Sequence, residues 1–324
     1  MDPVSHLLFG RTVALTIDRP APAGVTAALV LGSILPDGDA ALALTGFDRY
    51  LRAHASGTHA LLGTAVEALV LALVLRLFVT GARVLPLVAA SWVGIAGHVF
   101  WDLADGSDIA LFKPFSDAAL GWHLVAMGEP IVLATLAVAV LVAWRWPARA
   151  RRAAAAALLL LGVLLTVKQT TQTWARARYA ASVVNDAPEA VAIAPILGRL
   201  FAWTIYDRDG DLVRAWNVDG RSGAVALAFE YRDAADAPAL GLSRELPVVR
   251  TFLGLSKTPF VRTERDGPHR LVLWSDVSSC STRGCDVSFG GAFDGNAAPL
   301  YQLIRIGGFS QRRPVPPGGP RHGH

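Results

Sequence analysis

Five short runs of histidine and carboxylate residues stand in the N-terminal part of this chain, and their types suit divalent-metal chemistry. They are His6, the pair Asp37 and Asp39, the pair His54 and His59, the pair His98 and Asp102, and His123 with Glu129. His98 and Asp102 are four residues apart, which on a helix puts both side chains on one face about one turn apart. An imidazole and a carboxylate so placed can share one metal or bridge two. Such donors suit zinc, manganese or iron, and with only Cys280 and Cys285 in the chain a thiolate cluster is excluded. A divalent cation held there would acidify a bound water and polarise a phosphoryl or carbonyl oxygen. The carboxylates left over, Asp39 or Glu129, are expected to act as general base or to hold a ligand imidazole in place.

Each run also has a plainer reading. A His-x3-Asp pair alone is more often a hydrogen-bonded structural pair, and Pro36-Asp37-Gly38-Asp39 has the residues of an ordinary helix-ending turn. His54 and His59 fit an interfacial position, and Glu67 fits, imperfectly, as a partner for Arg76 or Arg83. What favours the metal reading is that all the runs fall at one face of a membrane bundle, where ionisable groups are expensive to keep.

That bundle follows from composition. Of 324 residues, 53% are hydrophobic and only 17% charged, with mean hydropathy +0.41, whereas soluble domains carry about 25% charged residues. Ala60–Val79, Val84–Leu103, Leu124–Trp144 and Ala153–Val167 are long apolar runs. A crossing takes roughly 17–25 residues. The first three runs qualify, and the fourth does if it continues through Lys168 into Gln169-Thr170-Thr171. Two shorter segments, His6–Ile17 and Gly24–Leu35, bring the expected count from four helices to six. The opening Met1–His6 has neither the basic region nor the cleavage site of a signal peptide, so these early segments are expected in the mature protein.

Basic residues in short loops set the expected orientation. Arg76 and Arg83, and the cluster Arg145, Arg149, Arg151 and Arg152, mark cytoplasmic connections, and Arg11 and Arg19 agree. The histidine and carboxylate runs, and everything after the fourth run, then fall outside. The net charge of +4 comes from short clusters and a tail. No basic stripe with interleaved aromatics appears, so nucleic-acid binding is not expected.

From about Trp174 the pattern changes to strands. Ala202–Tyr206, Leu212–Trp216, Ala224–Tyr231, Arg270–Ser275, Cys285–Phe289 and Tyr301–Ile306 read as strands, and Glu245–Leu255 as one helix. The spacing of Cys280 and Cys285 allows a local disulfide in an oxidising compartment. The Pro-rich end from Gln311 reads as disordered, and no internal repeat or other catalytic signature appears.

Taken in order, the motifs resemble those of the YdjM-type family of bacterial inner-membrane proteins, described as membrane-bound metal-dependent hydrolases. They are Asp2-Pro3-Val4-Ser5-His6, Leu35–Asp39, His54–His59, the Gly-x3-His-x3-Asp helix Gly94–Asp102, Pro114-Phe115, and Glu129-Pro130 where the family tends to have Asp-Pro. The resemblance covers about residues 1–135, and Pro195–Trp203 is similar to a stretch in longer members. Ala55 and Ser56 stand where the family has Arg-Gly, and Asp108 where glycine is usual. More distantly, the order of motifs is similar to the zinc-dependent phospholipase C and nuclease group. That likeness implies His59, His98, Asp102 and Glu129 as metal ligands, with His6, Asp37 and Asp39 completing the cluster.

The expected protein is mainly α. A helical membrane bundle over residues 1–173 is followed by a small β-rich extracytoplasmic domain over 174–310 and a disordered tail over 311–324. The expected activity is metal-dependent hydrolysis of a phosphoester or lipid-linked substrate at the outer face of the inner membrane. Zinc is the first choice of metal and manganese the second. His6, Asp37, His54, His59, His98 and Asp102 are the expected ligands, with Asp39 and Glu129 catalytic. The rivals are an ion or transport pathway and a metal-stabilised scaffold that recruits protein partners.

Overall fold

Asp2 starts the first helix. Its carboxylate accepts a 3.0 Å hydrogen bond from the Ser5 amide, and Pro3 occupies the first turn, where a missing N–H is harmless. This cap opens α1 (Pro3–Leu15) in the computed structural model of the chain, which describes residues 2–17, 20–183, 192–234 and 238–316. The Asp-Pro-x-x-His motif thereby sets His6 in the first turn of α1 with its side chain buried. Arg19, used above for orientation, lies outside the described residues.

α2 (Val25–Gly32) is followed, after a 47° bend, by a 3-10 helix at Pro36–Leu44 that carries Asp37 and Asp39. Pro36 cannot continue the α2 ladder, because it lacks an N–H and disfavours helix in the residue before it. α3 (Phe47–Ala53) runs into a single π turn at His54–Thr58, which leads to α4 (Leu61–Phe78). Next come α5 (Val84–Asp105), α6 (Pro130–Arg145) and, after a short turn at Pro147–Arg149, the 33-residue α7 (Ala150–Ser182).

Three of these helices, α4, α5 and α7, are long and apolar enough to cross a membrane, and the bent pair of α2 and the 3-10 helix is a fourth candidate. The run Leu124–Trp144 does not become a full crossing helix as expected. α6 has only 16 residues, because Gly128 at φ +70° and Pro130 keep the preceding residues in a loop. α7 continues well past Thr171, since no proline or glycine interrupts Val163–Ser182.

α2 and α5 meet backbone to backbone. A Cβ on Gly94 would stand 2.4 Å from the Leu29 carbonyl oxygen, and one on Gly32 would stand 2.6 Å from that of Ser91. Small residues give membrane helices such close approach. Here the contact brings the Ser33 carbonyl against His98.

The chain divides into two compact units, residues 1–173 with 194–201, and residues 174–193 with 202–324. The segment 194–201, expected in the β domain, groups instead with the helices. Its Arg199 carbonyl accepts from buried Lys168 Nζ at 2.6 Å, and Leu200 packs on a core of Trp101, Val125, Val132 and Leu136.

β1 (Ala192–Pro195), β2 (Ala202–Asp209), β3 (Leu212–Asp219) and β4 (Val225–Arg232) form one sheet in sequence order. A five-stranded sheet has the order β11-β10-β9-β6-β5. Its strands are β5 (Pro259–Asp266), β6 (His269–Asp276), β9 (Val287–Phe293), β10 (Pro299–Ile306) and β11 (Phe309–Pro314). The stretch Glu245–Leu255 is not one helix. α8 (Pro238–Arg244) and α9 (Pro247–Leu253) are separated by Pro247. The tail also begins later than expected, because Gln311–Pro314 pair with Tyr301–Ile304. Residues 317–324 of that tail lie outside the described residues.

Cys280 and Cys285 form a disulfide across the two-residue strands β7 (Cys280–Ser281) and β8 (Gly284–Cys285). Just before it, Asp276 accepts hydrogen bonds from Thr258 Oγ1 at 2.8 Å, from Ser278 Oγ at 2.6 Å, and from Ser256 Oγ. Burial raises the Asp276 pKa, but these hydrogen bonds outweigh it and hold the carboxyl below its usual range.

Candidate metal centre

Four helix ends converge on one buried cluster. The start of α1 supplies His6, the 3-10 helix Asp37 and Asp39, the π turn and the residue after it His54 and His59, and the last two turns of α5 His98 and Asp102. His6, His59 and His98 are fully buried and Asp102 nearly so, while Asp37 and His54 retain some exposure. The π turn lets His54 face the cluster together with the adjacent pair Thr58 and His59. Such turns recur at functional sites.

The contacts are close. His98 Nε2 lies 2.9 Å from Asp102 Oδ2, His59 Nε2 lies 3.3 Å from the same oxygen, and His6 Nε2 lies 3.1 Å from Asp102 Oδ1. Asp37 Oδ1 is 3.6 Å from His98 Nε2, and His54 Nδ1 is 3.3 Å from Asp39. The His6 and His98 rings stack at 3.8 Å. Three overlapping triads result. They are His6, His98 and Asp102; Asp37, His59 and His98; and Asp39, His54 and His59, each with donor atoms within 4.8 Å of one another.

Proton placement makes this set distinctive. His98 Nδ1 lies 2.9 Å from the Ser33 carbonyl, which can only accept, so Nδ1 carries a proton and Nε2, 2.9 Å from Asp102 Oδ2, is the atom left to meet a metal ion or a second proton. The Thr58 hydroxyl has one proton and donates it to Asp39 Oδ2 at 2.7 Å. Thr58 Oγ1 therefore accepts from His59 Nδ1 at 2.8 Å, and His59 Nε2 is left in the same way. These two Nε2 atoms stand 3.1 Å apart, facing each other and Asp102. Two ring nitrogens at that distance must share a cation, either one proton or a metal ion. The donor set fits a divalent ion, with the far ring nitrogens anchored as is usual for metal-ligating histidines.

Burial, followed by the Asp39 and Asp37 carboxylates, pushes the Tyr50 phenol up to about 12, which reports a negative field at the cluster. Burial pushes the His59 imidazole below its ordinary value despite the Asp102 carboxylate, which favours the neutral ligand form.

Of the residues singled out in the sequence, His6, Asp37, Asp39, His54, His59, His98 and Asp102 come together in the triads, whereas Glu129 does not. Glu129 precedes α6, fully buried, with Oε2 accepting from the Gly198 amide at 3.4 Å and Oε1 without a hydrogen-bond partner among the described residues. His123 sits apart as well, with Nε2 3.4 Å from Asp108. Glu67 forms no ion pair with Arg76 or Arg83, and its buried Oε2 has no hydrogen-bond partner among the described residues. Sequence reasoning missed Ser33 and Thr58. A backbone carbonyl has no sequence signal, and Thr58 was legible only as the neighbour of His59.

A family model described as YdjM inner membrane protein matches residues 1–175, which contain every residue of the three triads. No curated protein and no solved structure matches the chain.

Proposed function

The chain belongs to the YdjM inner membrane protein family, and on that premise we propose that it is a membrane-embedded metal-dependent hydrolase acting on a phosphoester or lipid-linked substrate. One observation carries this reading: the His59 and His98 Nε2 atoms face each other at 3.1 Å beside Asp102, with both far ring nitrogens already engaged by Thr58 and Ser33. His6, Asp37, His59, His98 and Asp102 would hold a divalent cation, with zinc the first choice and manganese the second. When bound, such an ion supplies Lewis acidity toward a phosphoryl oxygen and acidifies water.

The chain's own residues divide the remaining work. Ser33 and Thr58 hold the two imidazoles in the ligand tautomer. Asp39 anchors Thr58 and His54, and partly exposed His54 is placed to pass a proton between the cluster and solvent. Glu129, outside the triads and buried, is not assigned the general base. That role goes to the Asp39–His54 pair.

Two features support a site open to lipid on the outer side. The loop after α5, tied by the Ile109–Leu120 bridge and by Leu61 N to Leu111 O at 2.9 Å, exposes Phe112, Phe115 and Trp122 beside the start of α4. The Cys280–Cys285 disulfide suits an oxidising compartment, so we place the second unit in the periplasm.

The test is metal analysis of detergent-purified wild type and His98→Ala, followed by a phosphodiester-lipid screen. At least one equivalent of zinc or manganese that is lost in the variant, together with metal-dependent turnover, is expected. A wild type that takes up no divalent metal ends the proposal. A transport reading draws on Glu67, a carboxylate deeper in α4 whose buried Oε2 has no hydrogen-bond partner among the described residues. It predicts metal or proton flux in proteoliposomes that Glu67→Gln abolishes.

A further inference from the structure

At one end of the five-stranded sheet, the turn between β5 and β6 and the turn between β9 and β10 enclose a cavity of about 430 Å³ bordered by Arg265, His269, Arg270, Asp294 and Gly295. Arg265 and Arg270 are directly opposed in the antiparallel register. Opposed residues share a sheet face, and like charges so placed destabilise a strand pair. Neither arginine has a carboxylate partner among the described residues.

The nearby acids are already engaged. Asp266 takes Arg312 and Tyr301, Glu264 takes Arg262 and Arg305, and Asp294 Oδ1 accepts the Asn296 and Ala298 amides at 2.9 and 2.8 Å. Two guanidinium groups and an imidazole therefore stand around one hollow. Guanidinium forks match phosphoryl oxygens bidentately. With Asp294 also at the border, the two guanidinium groups leave a net positive charge in the hollow for a phosphate monoester to neutralise.

We propose that this cavity is a binding site for a phosphate monoester group, separate from the metal centre and held by Arg265 and Arg270, with His269 at its rim. The group is carried either by a soluble phosphate compound or by a lipid headgroup. The inference stands on the second unit alone and does not depend on the hydrolase reading.

The experiment is a calorimetric titration of the detergent-purified full chain with inorganic phosphate and, separately, with short-chain phosphatidic acid. Wild type, Arg265→Ala, Arg270→Ala, Arg270→Glu and His98→Ala are compared. Saturable binding is expected in wild type and His98→Ala and should weaken about 10-fold or more in each arginine-to-alanine variant, the size of a lost charged hydrogen bond. Arg270→Glu, which gives Arg265 a partner, should abolish binding and raise the Tm, so a folding defect cannot account for the loss. Tighter binding of phosphatidic acid identifies a headgroup as the source, and equal binding identifies a soluble phosphate. No saturable binding of either probe to wild type, or undiminished binding in both alanine variants, overturns the proposal. Binding lost in His98→Ala but kept in the arginine variants overturns it too, by moving the anion to the metal centre.

Discussion

Thr58→Val isolates the proton arrangement on which the metal reading depends. Valine matches threonine in shape but removes the hydroxyl that donates to Asp39 at 2.7 Å and accepts from His59 Nδ1 at 2.8 Å. Asp39 cannot take over, because its Oδ2 lies 3.9 Å from His59 Nδ1, beyond hydrogen-bond range. The buried His59 ring then gains nothing by keeping its proton on Nδ1. Moving the proton to Nε2 aims it at His98 Nε2, 3.1 Å away, and removes a ligand lone pair. Losing an outer-shell partner of a ligating histidine lowers metal affinity about 10- to 100-fold. That range corresponds to roughly 1.4 to 2.8 kcal/mol. Chelator competition for zinc, on detergent-purified wild type, Thr58→Val and Thr58→Ser, reads this directly. Serine keeps the hydroxyl and should stay close to wild type. If valine binds zinc as tightly as threonine, or serine binds as weakly as valine, then Thr58 does not set the tautomer and the facing Nε2 atoms lose their significance.

Three further outcomes follow from the same structure. Gly94→Ala puts a methyl 2.4 Å from the Leu29 carbonyl oxygen, so α2 must retreat and take the Ser33 carbonyl from His98. Metal occupancy and Tm should both fall, with a loss of stability typical of overpacking, about 1–3 kcal/mol. Glu129→Gln should leave metal content unchanged, since Glu129 is outside the triads, but lower the Tm, because the buried Lys168 ammonium loses the opposite charge of Glu129; the double variant with Lys168→Met should recover part of that loss. For the second unit, Asp276→Asn should lower thermal stability at neutral pH. The carboxyl's pKa is depressed in the fold, so its contribution is present above the unfolded value, about 3.9, and fades as pH falls through the lower folded value. Wild type and variant should therefore converge in acid, and a gap that persists there would contradict the hydrogen-bond account.

The sequence carried the site residues better than it carried their supports. His98 and Asp102 were readable because a four-residue spacing on an apolar run has one helical meaning, and His6 because Asp2-Pro3 fixes where the helix begins. Glu129 misled. A glutamate before a proline at the head of an apolar run resembles a ligand at a helix mouth, and only the covering segment 194–201, remote in sequence, shows it engaged elsewhere. The same distance effect hid the role of Lys168, whose partner is a backbone carbonyl 31 residues away. α6 was overestimated because hydropathy does not register that Gly128 adopts a left-handed conformation. β11 was missed because its arginines and proline read as tail, whereas an edge strand tolerates both.

The shortness of α6 has a bearing on where this protein can reside. Sixteen residues at 1.5 Å each reach about 24 Å, against a hydrocarbon layer of about 30 Å, while α5, with 22 residues, matches the full layer. Lipid flanking α6 must shorten or splay its chains, at a fraction of a kcal/mol per Å. A bilayer of ordinary thickness meeting that flank would dimple there, with polar headgroups riding deeper than elsewhere. Acyl-chain length then becomes a control variable, with thinner bilayers relaxing the dimple and thicker ones drawing the protein into clusters that share the deformation.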